Sequence, residues 1–271
     1  MTKLPKLVTF DGEARSGKGT VVQLTKDYLR DERGHKVMLI DAGQVFRVLV
    51  VAIERAGVDI DDPAAIDAYL ADQQNAKQCV QLVKDVYHME KAQRDALLYT
   101  NQVGANSAKV GARPGSQSFK DDLLHKWLKD AAKEGYNVVL LDGRALEETG
   151  GMLESEGLCD FRLGLYFICD PQMGARRTLG FSGVDYQDLN GEDKQSVDEL
   201  VEQIIERNRK DSQRLVQPIV PPKNAKICRL PSVELPEKQA VRPMLICDTS
   251  TQMTKLEMSR PVAELVADLL V

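Results

Sequence analysis

The sequence predicts an α/β fold, a parallel β-sheet flanked by helices. Two observations carry this. Five short runs, at 7–10, 37–40, 137–141, 163–169 and 244–247, are nearly continuous in apolar residues rather than alternating. That is the pattern of parallel strands covered on both faces. Amphipathic stretches at 18–30, 44–55, 64–97, 117–133 and 196–216 lie between them. Strands alternating with helices are the signature of βαβ units.

Taken in order, the strand at 7–10 runs into a glycine-rich turn that opens the helix at 18–30. The helix at 44–55, after the second strand, has a stop signal at Gly57. Asp62-Pro63 supplies a cap and a proline at the first helical position of the 64–97 stretch. Positions 42–135 hold no convincing strand, too long a gap for one crossover, and read as a helical subdomain inserted in the sheet domain. After the strands at 137–141 and 163–169 and the helix at 196–216, six of the eleven prolines fall between Pro218 and Pro243. That segment reads as an extended loop before the last strand.

Composition narrows the function. With 271 residues, 43% of them hydrophobic and 28% charged, the chain can bury a large core without disulfide or metal staples. Its net charge of -5, from 36 basic and 41 acidic residues, argues against a nucleic-acid binder, which needs a basic excess. Aromatic content of 5%, with Trp127 the one tryptophan, argues against a base-stacking surface. The five cysteines (79, 159, 169, 228, 247) show no Cys-x-x-Cys spacing, and Cys169 and Cys247 read as buried thiols. The apolar stretch near the start is too short for a signal peptide and no run reaches membrane length, so a cytoplasmic protein without membrane partners is expected.

The strongest motif is Gly12-Glu13-Ala14-Arg15-Ser16-Gly17-Lys18-Gly19-Thr20, set between a strand and a helix. This is the context of a phosphate-binding P-loop: glycines let backbone N–H groups turn towards phosphate oxygens, and the helix dipole favours the anion. Lys18 is expected on the β- and γ-phosphates of ATP and Thr20 beside Mg²⁺. Gly19 stands where the strict pattern has the hydroxyl residue.

A group-transfer enzyme with two anionic substrates also needs converging arginines. Three stretches offer them. Asp41-Ala42-Gly43-Gln44-Val45-Phe46-Arg47 follows the second strand. Asp142-Gly143-Arg144 ends the third, at the sheet edge where ligands bind in open α/β folds, with Asp142 placed to organise Mg²⁺. Arg207, Asp211 and Arg214, spaced i, i+4, i+7, share one helix face; alone they read as an ordinary ion pair on a solvated surface. Arg176-Arg177 resembles the basic start of a lid helix, or a plain surface pair.

Together these segments resemble the bacterial cytidylate (CMP/dCMP) kinases, nucleoside monophosphate kinases of the P-loop class. The family's Asp-Gly-x-x-x-Ser-Gly-Lys-Gly-Thr loop matches residues 11–20. Its Asp-Ser-Gly-x-x-Tyr-Arg segment matches 41–47, with Ala42 and Phe46 in place of serine and tyrosine. Val103-Gly104-Ala105-Asn106-Ser107-Ala108-Lys109-Val110 is similar to a further family stretch. Asp142-Gly143-Arg144-Ala145 resembles Asp-Gly-Arg-Asp, and Arg207, Asp211 and Arg214 its arginine helix. The resemblance implies ATP-dependent phosphoryl transfer, with Mg²⁺, to a nucleoside monophosphate, CMP or dCMP giving CDP or dCDP. It implies Lys18, Asp142, Arg144, Arg207 and Arg214 as catalytic, residues 12–20 and Arg176 on ATP, and Thr20 and Asp142 on the metal. Asp41, Gly43, Phe46 and Arg47 would line the acceptor, with Arg47, Arg144, Arg207 and Arg214 on phosphate and Asp211 on the sugar. Aligned without gaps, Ala108, Gln117 and Ala145 stand where the family reads cytosine with serine, arginine and aspartate. Alanine has no polar group to do so. Base choice is therefore the feature in which this chain departs.

The implied organisation is one kinase domain over 1–271. Its core is 1–41, 136–175 and 217–271, its nucleoside-monophosphate-binding insert 42–135 and its lid 176–216, in a monomer that binds no nucleic acid. Two other readings stay open: a nucleotide-binding regulator with weak turnover on the same scaffold, and a P-loop kinase for another small acceptor.

Overall fold

A computed structural model describes residues 3–214, 217–223, 225–234 and 244–270. The chain divides into two compact units, residues 1–40 with 131–271, and residues 41–130. The strands are β1 (Lys6–Gly12), β2 (Val37–Asp41), β3 (Val138–Asp142), β4 (Asp160–Ile168), β5 (Lys226–Arg229) and β6 (Met244–Asp248). The described helices are α1 (Lys18–Asp31), α2 (Ala42–Arg55), α3 (Pro63–Ala71), α4 (Gln73–His88), α5 (Lys91–Leu98) and α6 (Asn101–Gly111). They continue with α7 (Pro114–Lys133), α8 (Leu146–Ser155), α9 (Pro171–Leu179), α10 (Gly191–Ser212) and α11 (Lys255–Leu269). None is long and apolar enough to cross a membrane.

The sheet order is β2-β3-β1-β4-β6-β5, and the β1–β3, β1–β4, β4–β6 and β5–β6 pairings are parallel. This is the α/β architecture that the apolar runs predict. All five expected strands form, each shifted by at most three residues at either end. Val8, Phe10, Leu140, Leu165 and Phe167 pack one core with Val21, Val22 and Leu29 of α1 and Val262 and Val266 of α11. Such side chains contribute roughly 1.5–3 kcal/mol each when fully buried. Phe10 and Phe167 stack with ring centroids 6.2 Å apart, locking β1 to β4 next to the glycine-rich turn. Because β1 lies between β3 and β4, its carboxyl end faces theirs: Phe10 pairs with Asp142, and Gly12 with Phe167.

The other unit is helical, with Val48, Leu49, Ile53, Val86, Leu98 and Val110 at its centre. The long helix expected at 64–97 is three helices. Asp72 leaves the helical backbone and its carboxylate caps α4, accepting from Gln74 N and Asn75 N at 2.9 Å each. Met89, also extended, ends α4.

Two further expectations change. The segment 218–243 is not loop throughout: it contains β5, the edge strand. Only Cys228 of its four residues is buried, so the apolar signal is faint, and Pro221, Pro222 and Pro231 flank the strand rather than sit in it. The helices α8 and α11 form where no helix was assigned. The helix expected at 196–216 is α10, which ends at Ser212, so Arg214 follows the helix rather than sitting on its face. Residues 215–216 and the proline-rich 235–243 lie outside the described residues.

Candidate active site

The glycine-rich turn is built by backbone demands. Gly12 has φ +145°, and a Cβ there would stand 2.3 Å from Phe167 O, so no other residue fits. Gly17, at φ +83°, forms the left-handed N-cap of α1 without a side-chain cap, which leaves the helix start to a ligand. The turn is tied down around its rim. Thr249 Oγ donates to Ser16 O (2.9 Å), Ser16 Oγ to Glu13 O (2.9 Å), and Ala14 N donates to Asn208 Oδ1 of α10 (2.9 Å). The Glu13 carboxylate accepts from Cys169 N at 3.5 Å.

Lys18 Nζ donates to Asp142 Oδ1 and, at 3.2 Å, to Gly143 O. This joins the first residue of α1 to the end of β3. Thr20, one turn position on, is half-buried, while Gly19 is exposed. The carboxylate of Asp142 and the hydroxyl of Thr20 are hard oxygen donors of the kind Mg²⁺ takes. Among the described residues no group of three His, Cys, Asp or Glu side chains could by itself hold a metal. Such an ion would draw its other ligands from phosphate and water, as Mg²⁺ usually does.

Arg144, two residues past Asp142, donates from Nη1 to Asp211 Oδ2. Arg214 Nη2 lies 2.5 Å from Asp211 Oδ1, and Arg207 Nε 3.8 Å from Oδ2. Three guanidiniums thus surround one buried carboxylate, an excess of two positive charges. Burial, then repulsion from Arg207 and Arg214, hold the Arg144 pKa well below the ordinary guanidinium value; burial does the same to Arg214. A cationic cluster so desolvated favours an anion. Asp11, also buried, links the glycine-rich turn to the turn after Arg144: its carboxylate accepts from Gly12 N (2.6 Å) and from Leu146 N at the start of α8 (3.0 Å). Burial raises its pKa.

In the helical unit Asp41 caps α2, accepting from Gln44 N at 2.9 Å. Arg47 Nη1 donates to Leu98 O at 2.8 Å, and its guanidinium lies 4.7 Å from the Tyr99 ring centroid. Gly43 stands in the first turn of α2, and Gly111 lies over the ring of Phe46. Gln117 Nε2 donates to Gly111 O at 2.5 Å, leaving its Oε1 buried without a partner.

The cytidylate kinase family profile matches residues 8–245. The chain belongs to the cytidylate kinase family. Relatives named cytidylate kinase span most of both chains. One from Pseudomonas aeruginosa is 30% identical over 228 residues, covering 81% of this chain and 85% of that protein. One from Pseudomonas putida is 27% identical over 246 residues (89% and 95%), and one from Bacillus pumilus 24% over 219 (78% and 83%). The chain is thus a P-loop kinase, a nucleotide-binding transferase.

Against the family pattern, the loop at 12–20 with Lys18 and Asp142, and the cluster of Arg144, Arg207, Asp211 and Arg214, each come together within the sheet unit. At the positions aligned with the base readers, Ala108 is exposed on α6, and the Oγ of the adjacent Ser107 donates to Gly104 O at 2.8 Å. Ala145 holds a left-handed backbone, φ 54° and ψ 49°, unusual for alanine. Arg176 is buried and donates to Val184 O at 2.5 Å, so it belongs to the interior of its own loop rather than to a basic surface. Arg177 instead faces the end of β6, donating to Thr251 O at 2.6 Å and lying 3.5 Å from Thr249 Oγ. Asp11, Asn208 and Tyr99 were not singled out from sequence. Asp11 had a signal in the family loop; Asn208 and Tyr99 had none, because their contacts are long-range.

Proposed function

We propose that this kinase transfers the γ-phosphoryl group of ATP to a nucleoside monophosphate, with CMP and dCMP as first acceptors. What carries the reading is the convergence of Arg144, Arg207 and Arg214 on Asp211 in the same unit as the P-loop. Phosphoryl transfer is positioning and charge neutralisation more than covalent chemistry. Lys18 and the amides of residues 15–18 hold the donor phosphates. Arg144, Arg207 and Arg214 take the acceptor phosphate and the charge that spreads over the transferring group. Asp211 accepts from a sugar hydroxyl while remaining paired with arginine. Asp142 and Thr20 would hold Mg²⁺, which when bound neutralises charge on the donor phosphates.

A broader base choice is supported by the polar groups at the aligned base positions. Ala108 and Ala145 bring none, and Gln117 brings one unpartnered acceptor, Oε1. An acceptor of that kind suits a base N–H, which both cytosine and uracil have. The test is an ATP-coupled phosphorylation panel over CMP, dCMP, UMP, AMP and GMP. Turnover with the pyrimidine monophosphates is expected. ATP binding without turnover on any of them would favour the regulator; if ATP is instead turned over on a non-nucleotide hydroxyl acceptor added to the panel, the small-acceptor kinase is favoured.

A further inference from the structure

The P-loop amides do not all face the helix start. Ala14 N, at the outer bend of the turn, donates to Asn208 Oδ1 at 2.9 Å across 194 residues of sequence. Asn208 sits on α10, next to Arg207 and one turn before Asp211, so the helix that carries the carboxylate at the centre of the arginine cluster is bonded directly to the loop for the donor phosphates. On the other side, Asp11 bonds the same loop at Gly12 and the turn after Arg144 at Leu146. Gly174 of α9 closes the frame: a Cβ there would stand 3.0 Å from Arg15 O, so α9 lies in tight contact with the loop.

We infer that Asn208 is a positioning residue that holds Arg207 and Asp211 of α10 in register with the phosphate loop. The inference rests on the proposed phosphoryl transfer and adds how its two halves are aligned. Ala14 N precedes the amides that grip phosphate in a P-loop, so its bond to Asn208 orients the loop without taking a donor from the nucleotide. It also divides the stretch 176–216 expected as a lid: the end of α10, from Asn208 on, is fastened to the sheet core, and any closing movement begins before it. The bond supplies alignment rather than binding, and misplacement of reacting groups by about 1 Å lowers rates by up to roughly a hundredfold.

The test compares Asn208→Leu, similar in shape but without an acceptor, with Asn208→Asp, which keeps one. Asn208→Ala serves if the leucine variant does not fold. Amide exchange at Ala14 in ¹⁵N-labelled full-length protein reads the bond itself, and exchange about tenfold or more faster is expected in Asn208→Leu but not in Asn208→Asp. ADP affinity, by calorimetric titration, should be unchanged. The kcat for CMP should fall between about tenfold and a hundredfold in Asn208→Leu and recover in Asn208→Asp. Unchanged exchange at Ala14 would overturn the inference, as would faster exchange with kcat intact, or kcat and ADP affinity falling together. A wild-type protein that phosphorylates no nucleoside monophosphate would instead overturn the proposed reaction, and the exchange measurement would still decide whether Asn208 holds the loop.

Discussion

Replacing Asp211 by asparagine tests the arginine cluster most directly. The carboxylate is almost fully buried, its side chain 6% exposed, and faces Arg144, Arg214 and Arg207. Asparagine keeps the shape and one carbonyl oxygen but removes the negative charge that the three guanidiniums face. The contacts from Arg144 and Arg214 are charge-assisted, each worth roughly 1.5–3 kcal/mol. Arg207 is half exposed and more distant, and adds little. Losing one partner of a buried ionic group costs about 3–5 kcal/mol. For a unit of this size, at roughly 2–4 °C per kcal/mol, the thermal midpoint should fall on the order of 10 °C. The assay is scanning calorimetry in low-salt buffer, repeated with increasing sulfate. An anion that restores the lost negative charge stabilises by mass action, so sulfate should recover more of the midpoint in the variant than it adds to wild type. A midpoint within about 1 °C of wild type, or equal sulfate responses, would refute the view that Asp211 is the counter-ion of an anion site.

Lys18→Ala should lower turnover by about three orders of magnitude, the scale of one lost electrostatic group in the transition state, and near-normal turnover would remove the loop from the chemistry. Gly12→Ala drives a Cβ into Phe167 O at a backbone angle alanine rarely adopts, and should cost about 3 kcal/mol or more in urea unfolding; an unchanged midpoint would contradict the close approach of β1 and β4. Ala145→Asp combined with Ala108→Ser should raise the CMP-over-UMP ratio of kcat/KM about tenfold per regained bond. Aspartate tolerates the left-handed backbone at 145 better than alanine does, so the change needs no rearrangement there. A wild-type enzyme already strongly selective for CMP would show that other groups read the base. For Asp11, whose pKa is raised by burial, the folded state holds its proton more tightly than the unfolded chain. Its contribution to stability is therefore fullest below the ordinary carboxylate value of 3.8 and declines as pH rises from there through the folded-state value. Asp11→Asn should flatten that slope in a pH series of unfolding free energies, and an unaltered slope would clear Asp11 of the effect.

Local chemistry in the sequence was enough to specify the sheet, the P-loop and the arginine helix. Continuous apolar runs mark buried parallel strands, glycines at 12 and 17 mark backbone angles other residues avoid, and Arg207 and Asp211 share a helix face by spacing alone, while Arg214 lies just past the helix end. The same local reading missed β5, because an edge strand buries a single side chain, and merged α3, α4 and α5, because Asp72 breaks a helical pattern only through its capping geometry. What depended on the tertiary structure was pairing across sequence distance. Arg176 and Arg177 are identical neighbours in sequence, yet one turns inward to Val184 and the other towards Thr251. Ala14 meets Asn208, and Asp11 joins Gly12 to Leu146, through contacts that no periodicity encodes. A side chain's type and spacing determine which face of an element it occupies; which group it meets there is decided by how the elements pack.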